Sequence, residues 1–128
     1  MLKGTFEKKD GEIILKLDGH AGQADIGHDI VCASCSILAY TVAQIVKGEG
    51  DNDGLECPPL IKLESGNAVI SCKPKEERYA EIDHAYYVAE VGYTLLAHNY
   101  PQFVGLKTVW DGECREYKPK ESLTKEQK

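Results

Sequence analysis

Two short stretches near the N-terminus, residues 5–9 and 12–17, mix hydrophobic and polar residues as strands do, and they flank Asp10-Gly11. Asp-Gly between two such stretches is a strong signal for a tight hairpin. A similar pattern surrounds Ser65-Gly66-Asn67, between residues 60 and 72. The sequence therefore predicts two β-hairpins.

Two longer segments have hydrophobic residues at spacings of three and four, the period of an amphipathic helix. The first is predicted from Ile30 to Lys47, with Asp29 as N-cap or first-turn residue and Gly48 after its end. Its expected buried stripe is Val31, Cys35, Leu38, Val42 and Ile45. The second is predicted from about Glu76 to His98. Its expected stripe is Ile82, Ala85, Tyr86, Ala89, Gly92, Tyr93 and Leu96.

The remaining segments connect these elements. Residues 19–29 contain three glycines and predict a flexible loop, and residues 48–54 predict an acidic linker rich in turns. Residues 103–110 predict a last strand. The order β-β-α-β-β-α-β indicates an α+β fold, with an antiparallel or mixed sheet of about five strands packed against two helices. We expect one domain over residues 1–117 and a charged, disordered tail over 118–128.

Composition narrows the class of protein. The chain has 128 residues, 42% hydrophobic and 28% charged, which suits one globular domain with one core. A net charge of −6 argues against nucleic-acid binding and favours a basic partner. No apolar run approaches the length that crosses a bilayer, and the N-terminus turns polar too soon for a signal peptide. We therefore expect a cytoplasmic protein without membrane contact, whose five cysteines are free thiols.

One pair of residues could carry chemistry. His20 lies at the predicted end of a strand, and Cys32 lies in the predicted first turn of the first helix. A helix N-terminus presents unpaired backbone N–H groups and a partial positive charge, which favour a thiolate and could stabilise an oxyanion. A nearby imidazole would form an ion pair with that thiolate and deliver a proton to a leaving amine. The two residues could therefore perform acyl transfer.

The same residues allow other interpretations. A cysteine in an apolar helix is often a small core residue, and His28 is nearer to Cys32 in sequence than His20 is. Cys32-Ala33-Ser34-Cys35 has the C-x-x-C spacing of thiol–disulfide enzymes and, with both histidines, could supply four zinc ligands. However, Cys35 falls on the predicted buried stripe and no second C-x-x-C exists. Core packing is the better account of Cys35, and we expect neither metal nor cofactor.

The residues around this pair form a recognisable motif. Gly19-His20-Ala21, followed by Gly27-His28-Asp29-Ile30-Val31-Cys32-Ala33 and then Ser36, resembles the signature of the ribosomal-processing cysteine protease family, Prp. The resemblance implies that Cys32 is the nucleophile and His20 the base. It also implies that Asp29 organises the loop and the helix start, and that Ser36 tunes the thiol or lines the site. Gly19 and Gly27 are supporting residues of the same motif.

The resemblance also implies a substrate and an assembly. The family removes a short N-terminal extension from a basic protein of the bacterial large ribosomal subunit, and its members form homodimers with a mobile loop over the active site. That loop corresponds to residues 21–28 here. Ser34 and Cys35 depart from the small apolar residues usual in the family, and the chain is longer than a typical member. The alternatives are a phage-associated relative that processes virion structural proteins and a non-catalytic binding module of the same fold.

Overall fold

The structure is a computed structural model that describes residues 1–19 and 26–118. It confirms an α+β fold with two helices and a mixed sheet, which has six strands where the sequence predicted about five. The predicted tail begins at the edge of the described residues and lies almost wholly outside them. The elements are β1 (Leu2–Lys9), β2 (Glu12–Asp18), α1 (Ile26–Asp51), β3 (Leu60–Glu64), β4 (Asn67–Cys72), α2 (Glu76–Asn99), β5 (Val104–Trp110) and β6 (Glu113–Glu116).

The sheet has the strand order β3-β4-β2-β1-β5-β6. Neighbouring strands are antiparallel except β1 and β5, which run parallel because α2 lies between β4 and β5 in the chain. The alternating buried residues of the central strands stand opposite one another: Phe6 pairs with Leu15, and Leu15 with Ile70. One face of the sheet is therefore apolar, and both helices cover it, with α1 against β4 and α2 against β5 and β2.

The turns explain the hairpins and the strand that the sequence analysis missed. Asp10 and Gly11 both have positive φ, 53° and 81°, as a type I′ turn requires. Asp111 and Gly112 repeat this geometry at 53° and 85° and join β5 to β6. Asp111-Gly112 could therefore have been recognised in the sequence as a third hairpin turn. It is followed by Glu113–Glu116, a short and fully exposed strand that lacks the buried residues of β1, β2, β4 and β5.

Helix α1 is longer at both ends than predicted. It begins at Ile26 and continues through Gly48 to Asp51, so the expected end before Gly48 was wrong. Contacts from outside the helix stabilise its last turn. Both the backbone N–H and the side-chain Nδ2 of Asn52 donate hydrogen bonds to the Gly48 carbonyl, at 3.0 and 2.8 Å. Arg78 donates to both carboxylate oxygens of Glu49 at 3.1 and 2.7 Å. These contacts compensate for the poor helix propensity of glycine.

The buried side of α1 also differs in part from the predicted stripe. Val31, Cys35 and Val42 are buried as expected, but Ile45 is exposed and Leu38 is only half-buried. The other buried positions are Ala39, Ala43 and Val46. The helix contacts α2 on one side and β4 on another. Its buried surface therefore covers more of the helix circumference than the single predicted stripe.

Helix α1 is more apolar than the sequence analysis allowed. The segment Ile30–Asp51 is long and apolar enough to cross a membrane by length and composition, so the statement that no such run exists was wrong. Core helices of globular proteins pass the same test. Its buried residues pack on α2 and β4, which accounts for part of this apolar character, whereas Ile37 and Tyr40 remain exposed.

Candidate active site

Cys32 lies in a cleft between the first half of α1 and the β3–β4 hairpin. The cleft has a volume of about 330 Å³, and the Cys32 side chain is exposed in it. Its other walls come from the end of β2 and the start of β1. The lining residues are Leu2, Leu17, Gly19, Cys32, Cys35, Ser36, Ala39, Tyr40, Leu63, Glu64, Ser65, Gly66, Asn67 and Ala68.

Cys32 does not lie in the first turn of the helix, as the sequence analysis expected. Because α1 begins at Ile26, Cys32 lies in its second turn. The unpaired N–H groups of a helix belong to its first four residues, and the effect of the helix dipole falls off within the first turn. The proposed benefit of free N–H groups at Cys32 itself is therefore wrong.

Ser36 lies one helical turn after Cys32 and lines the same cleft. Its side chain is exposed, as is that of Tyr40 one further turn along. The three side chains form one edge of α1 that faces the β3–β4 hairpin. The structure thus brings Cys32 and Ser36 together as the motif predicted, and it adds Tyr40 to them.

Gly19 occupies a position that only glycine can fill. Its φ is +97°, which L side chains rarely adopt, and a Cβ atom there would overlap the backbone carbonyl oxygen of Met1. Its N–H donates to the Gly66 carbonyl at 3.0 Å, which ties the end of β2 to the β3–β4 turn. Gly19 therefore shapes the wall of the cleft immediately before His20 in the chain.

The other motif residues fall at the edge of the described structure. His20 lies outside the described residues, so its predicted proximity to Cys32 stays a prediction. Gly27, His28 and Asp29 lie in the first turn of α1. Asp29 is consequently a first-turn residue and not the N-cap, because the helix begins three residues before it. The residues predicted as a loop from 26 to 29 are helical.

Cys35 belongs to the core. Its side chain is 2% exposed, and burial, with a smaller contribution from the neighbouring Cys32, raises the pKa of its thiol to about 12. Its backbone carbonyl accepts a hydrogen bond of 2.7 Å from the buried Tyr93 hydroxyl of α2. The described residues contain no group of three or more histidine, cysteine or acidic side chains placed to hold a metal ion.

The hairpin side of the cleft was not found by sequence reasoning. Glu64 and Asn67 flank the Ser65-Gly66 turn, and Leu63 precedes them. All three line the cleft of Cys32, although they lie more than thirty residues away in the chain. Among the described lining residues, Glu64 has the one charged side chain. Nothing in the local pattern of β3 and β4 marks them as part of a site, because their proximity to α1 depends on the strand order.

Several solved structures share this fold. The structure is similar to that of SMU.848 from Streptococcus mutans, with 25% identity and a TM-score of 0.66 over 87% of this chain and 96% of the other. It also resembles the essential ribosomal processing protease Prp from S. aureus, solved in complex with a substrate peptide. That match has 19% identity and a TM-score of 0.62 over 84% and 99% of the two chains.

A third similar structure is the same S. aureus protease with a covalently linked product peptide, at 20% identity and a TM-score of 0.62 over 84% of this chain and 99% of that one. A comparison with curated protein sequences finds no match. The sequence profile of the cysteine protease Prp family matches residues 1–105, most of the chain. Together with an exposed cysteine in a cleft of the same fold, this match confirms the resemblance found in the motif: the chain belongs to the cysteine protease Prp family.

Proposed function

We propose that this chain is an endopeptidase in which Cys32 is the nucleophile and His20 the base. The observation that carries the proposal is the exposed thiol of Cys32 in a cleft of a chain that belongs to a cysteine protease family. Cys35 and Cys72 are buried, and Cys57 and Cys114 lie outside the cleft. Cys32 is thus the cysteine that a peptide in this cleft would meet with its thiol exposed.

The proposed reaction has two steps. The Cys32 thiolate attacks the carbonyl carbon of the scissile bond, the C–N bond breaks, and the His20 imidazolium gives its proton to the leaving amine. Water then attacks the thioester with His20 as base, which releases the carboxylate and restores the thiol. Ser36 and Gly19 shape the cleft around the reacting atoms, and the roles of Gly27 and Asp29 stay predictions from the motif.

The proposed substrate is the short N-terminal extension of a basic protein of the large ribosomal subunit. A structural relative from S. aureus is described as a ribosomal processing protease. The net charge of −6 would favour encounter with a basic chain. Because such a precursor is made in the cytosol, we propose that the chain acts there.

Thiol alkylation tests the nucleophile before any substrate is known. With iodoacetamide near pH 7 and mass-spectrometric mapping, Cys32 should react faster than Cys57 and Cys114, which are exposed thiols of the same chain and serve as internal controls. His20→Ala should lower the alkylation rate of Cys32 and leave the alkylation rates of Cys57 and Cys114 unchanged. Equal rates at all three exposed thiols would contradict an activated nucleophile.

Peptide cleavage tests the reaction and the substrate together. Peptides that span the extension of the ribosomal precursor should be cut by the wild type and by Cys57→Ala, but not by Cys32→Ala. A parallel panel of virion structural-protein peptides distinguishes the phage-associated alternative. If the wild type binds peptides of either panel without cutting any of them, the binding-module alternative replaces the protease.

We further propose that the chain forms a homodimer through the outer sides of both helices. Large hydrophobic side chains are exposed there, and such a surface is typical of an interface. They are Ile30, Ile37 and Ile45 on α1 and Tyr87, Val88, Val91 and Leu95 on α2. Light scattering should show a dimer that Val91→Lys converts to a monomer, whereas Leu60→Lys, the same change on an exposed strand, should not. A wild-type monomer at high concentration would refute the dimer.

A further inference from the structure

Strand β3 forms one edge of the sheet, and within residues 1–19 and 26–118 no strand pairs with its outer side. An edge strand presents a row of backbone N–H and C=O groups that can pair with another chain. Natural edges are usually protected by charges or proline. β3 carries Lys62 and Glu64 and follows Pro58-Pro59, but it also exposes two leucines, Leu60 at 59% and Leu63 at 41%.

The register identifies which backbone groups of β3 point outward. The two-residue turn Ser65-Gly66 makes Glu64 and Asn67 the closing hydrogen-bonded pair of the hairpin. Because hydrogen-bonded and non-hydrogen-bonded pairs alternate along an antiparallel ladder, Ile61 and Leu63 direct their N–H and C=O groups away from β4. An extended peptide alongside β3 would therefore bind to these two residues.

The same edge leads directly into the cleft of the nucleophile. Leu63 and Glu64 belong to β3 and also line the cleft that holds Cys32. The opposite edge of the sheet, β6, is short, has the sequence Glu-Cys-Arg-Glu and is remote from the cleft. β3 thus combines a free edge, exposed apolar side chains and continuity with the proposed catalytic site.

We propose that the extended segment of the substrate binds as an additional antiparallel or parallel strand along β3 and reaches Cys32 from there. Backbone hydrogen bonds to Ile61 and Leu63 hold this segment, and the Leu63 side chain contacts one of its residues. Such strand addition takes affinity from the main chain and specificity from alternate side chains. This inference rests on the proposed protease function.

N-methylation of the substrate tests the strand without changing the protein. The probe is the peptide from the ribosomal or virion panel that the wild type cleaves, methylated at one backbone nitrogen at a time on each side of the scissile bond. On one side of the scissile bond, methylation should raise KM about fivefold or more at every second residue and have little effect at the residues between. A rise of about fivefold corresponds to the loss of one net backbone hydrogen bond. The kcat should change little at positions remote from the scissile bond.

Proline variants test the same contact from the protein side. Leu63→Pro removes an outward N–H group, at a position where an edge strand tolerates proline, and Leu63→Ala removes only the side chain. Leu63→Pro should raise KM about fivefold beyond Leu63→Ala. Cys114→Pro is the matched control, because Cys114 occupies the equivalent non-hydrogen-bonded position on β6. Circular dichroism should show that all three variants are folded.

The outcomes separate this inference from the function on which it depends. A period-two pattern in the peptide, together with the extra loss in Leu63→Pro, supports strand addition. If the peptide is cleaved but methylation shows no alternation, or if Leu63→Pro equals Leu63→Ala, strand addition is overturned and the protease stands. If the wild type cleaves no peptide of either panel, both the function and the inference fail.

Discussion

Gly19 links the local backbone to the shape of the cleft, and Gly19→Ala tests that link. The new Cβ would overlap the Met1 carbonyl oxygen. That carbonyl cannot rotate away easily, since the N–H of the same peptide unit, on Leu2, donates to the Phe103 carbonyl at 2.8 Å. On the other side, the Gly19 N–H is bound to Gly66. Relief of the overlap therefore has to move the start of β1 or the end of β2.

Gly112 provides the reference for the loss of stability expected in Gly19→Ala. It has a similar φ of +85°, but a Cβ there would meet no atom within 4 Å. Gly112→Ala should cost about 1–2 kcal/mol, the usual penalty of a left-handed L residue. Gly19→Ala should carry the same penalty and about 1–3 kcal/mol more, because two backbone segments are forced apart. For a chain of this size each 1 kcal/mol lowers Tm by about 3–5 °C.

Urea unfolding of both variants measures this difference, and Cys32 alkylation adds a local readout. Gly19→Ala should be the less stable variant and should also change the alkylation rate of Cys32, since Gly19 lines its cleft. Gly112→Ala should leave that rate at the wild-type value. If the two variants lose equal stability, the contact with Met1 is not rigid and the reasoning about the cleft wall is refuted.

Two further predictions concern the buried thiols and the helical glycines. Burial raises the pKa of Cys35 to about 12 and that of Cys72 to about 11. The unfolded chain loses these protons near 9.0, so unfolding free energy should fall above pH 9 by up to about 1.4 kcal/mol per pH unit per thiol. Cys72→Ala should reduce that slope between pH 9 and 10, and an unchanged slope would argue against burial as the cause. In the helices, Gly48→Ala should stabilise by about 0.5–1 kcal/mol in urea unfolding, because a Cβ there has open space. Gly92→Ala should stabilise less, because its Cβ would lie 2.8 Å from a Leu38 methyl group and that side chain would have to shift. Equal gains would contradict a tight contact between the helices.

The sequence by itself determined the elements whose signals are local. Asp10-Gly11 and Ser65-Gly66 predicted the two hairpins because a two-residue turn depends on its own φ angles. The helix from Glu76 was predicted to within a residue at its end. The motif from Gly19 to Ser36 identified the family, which the profile match over residues 1–105 confirmed.

Only the tertiary structure decided the extent of α1 and the composition of the cleft. The helix continues past Gly48 because Asn52 and Arg78 stabilise its last turn, and no local preference of glycine predicts that. Leu63 lines the cleft of Cys32 because β4 pairs with β2, which places β3 at the edge beside α1. These contacts join residues far apart in sequence. Periodicity, turn chemistry and the motif around Cys32 report only on neighbouring residues, so none of them revealed the cleft that surrounds Cys32.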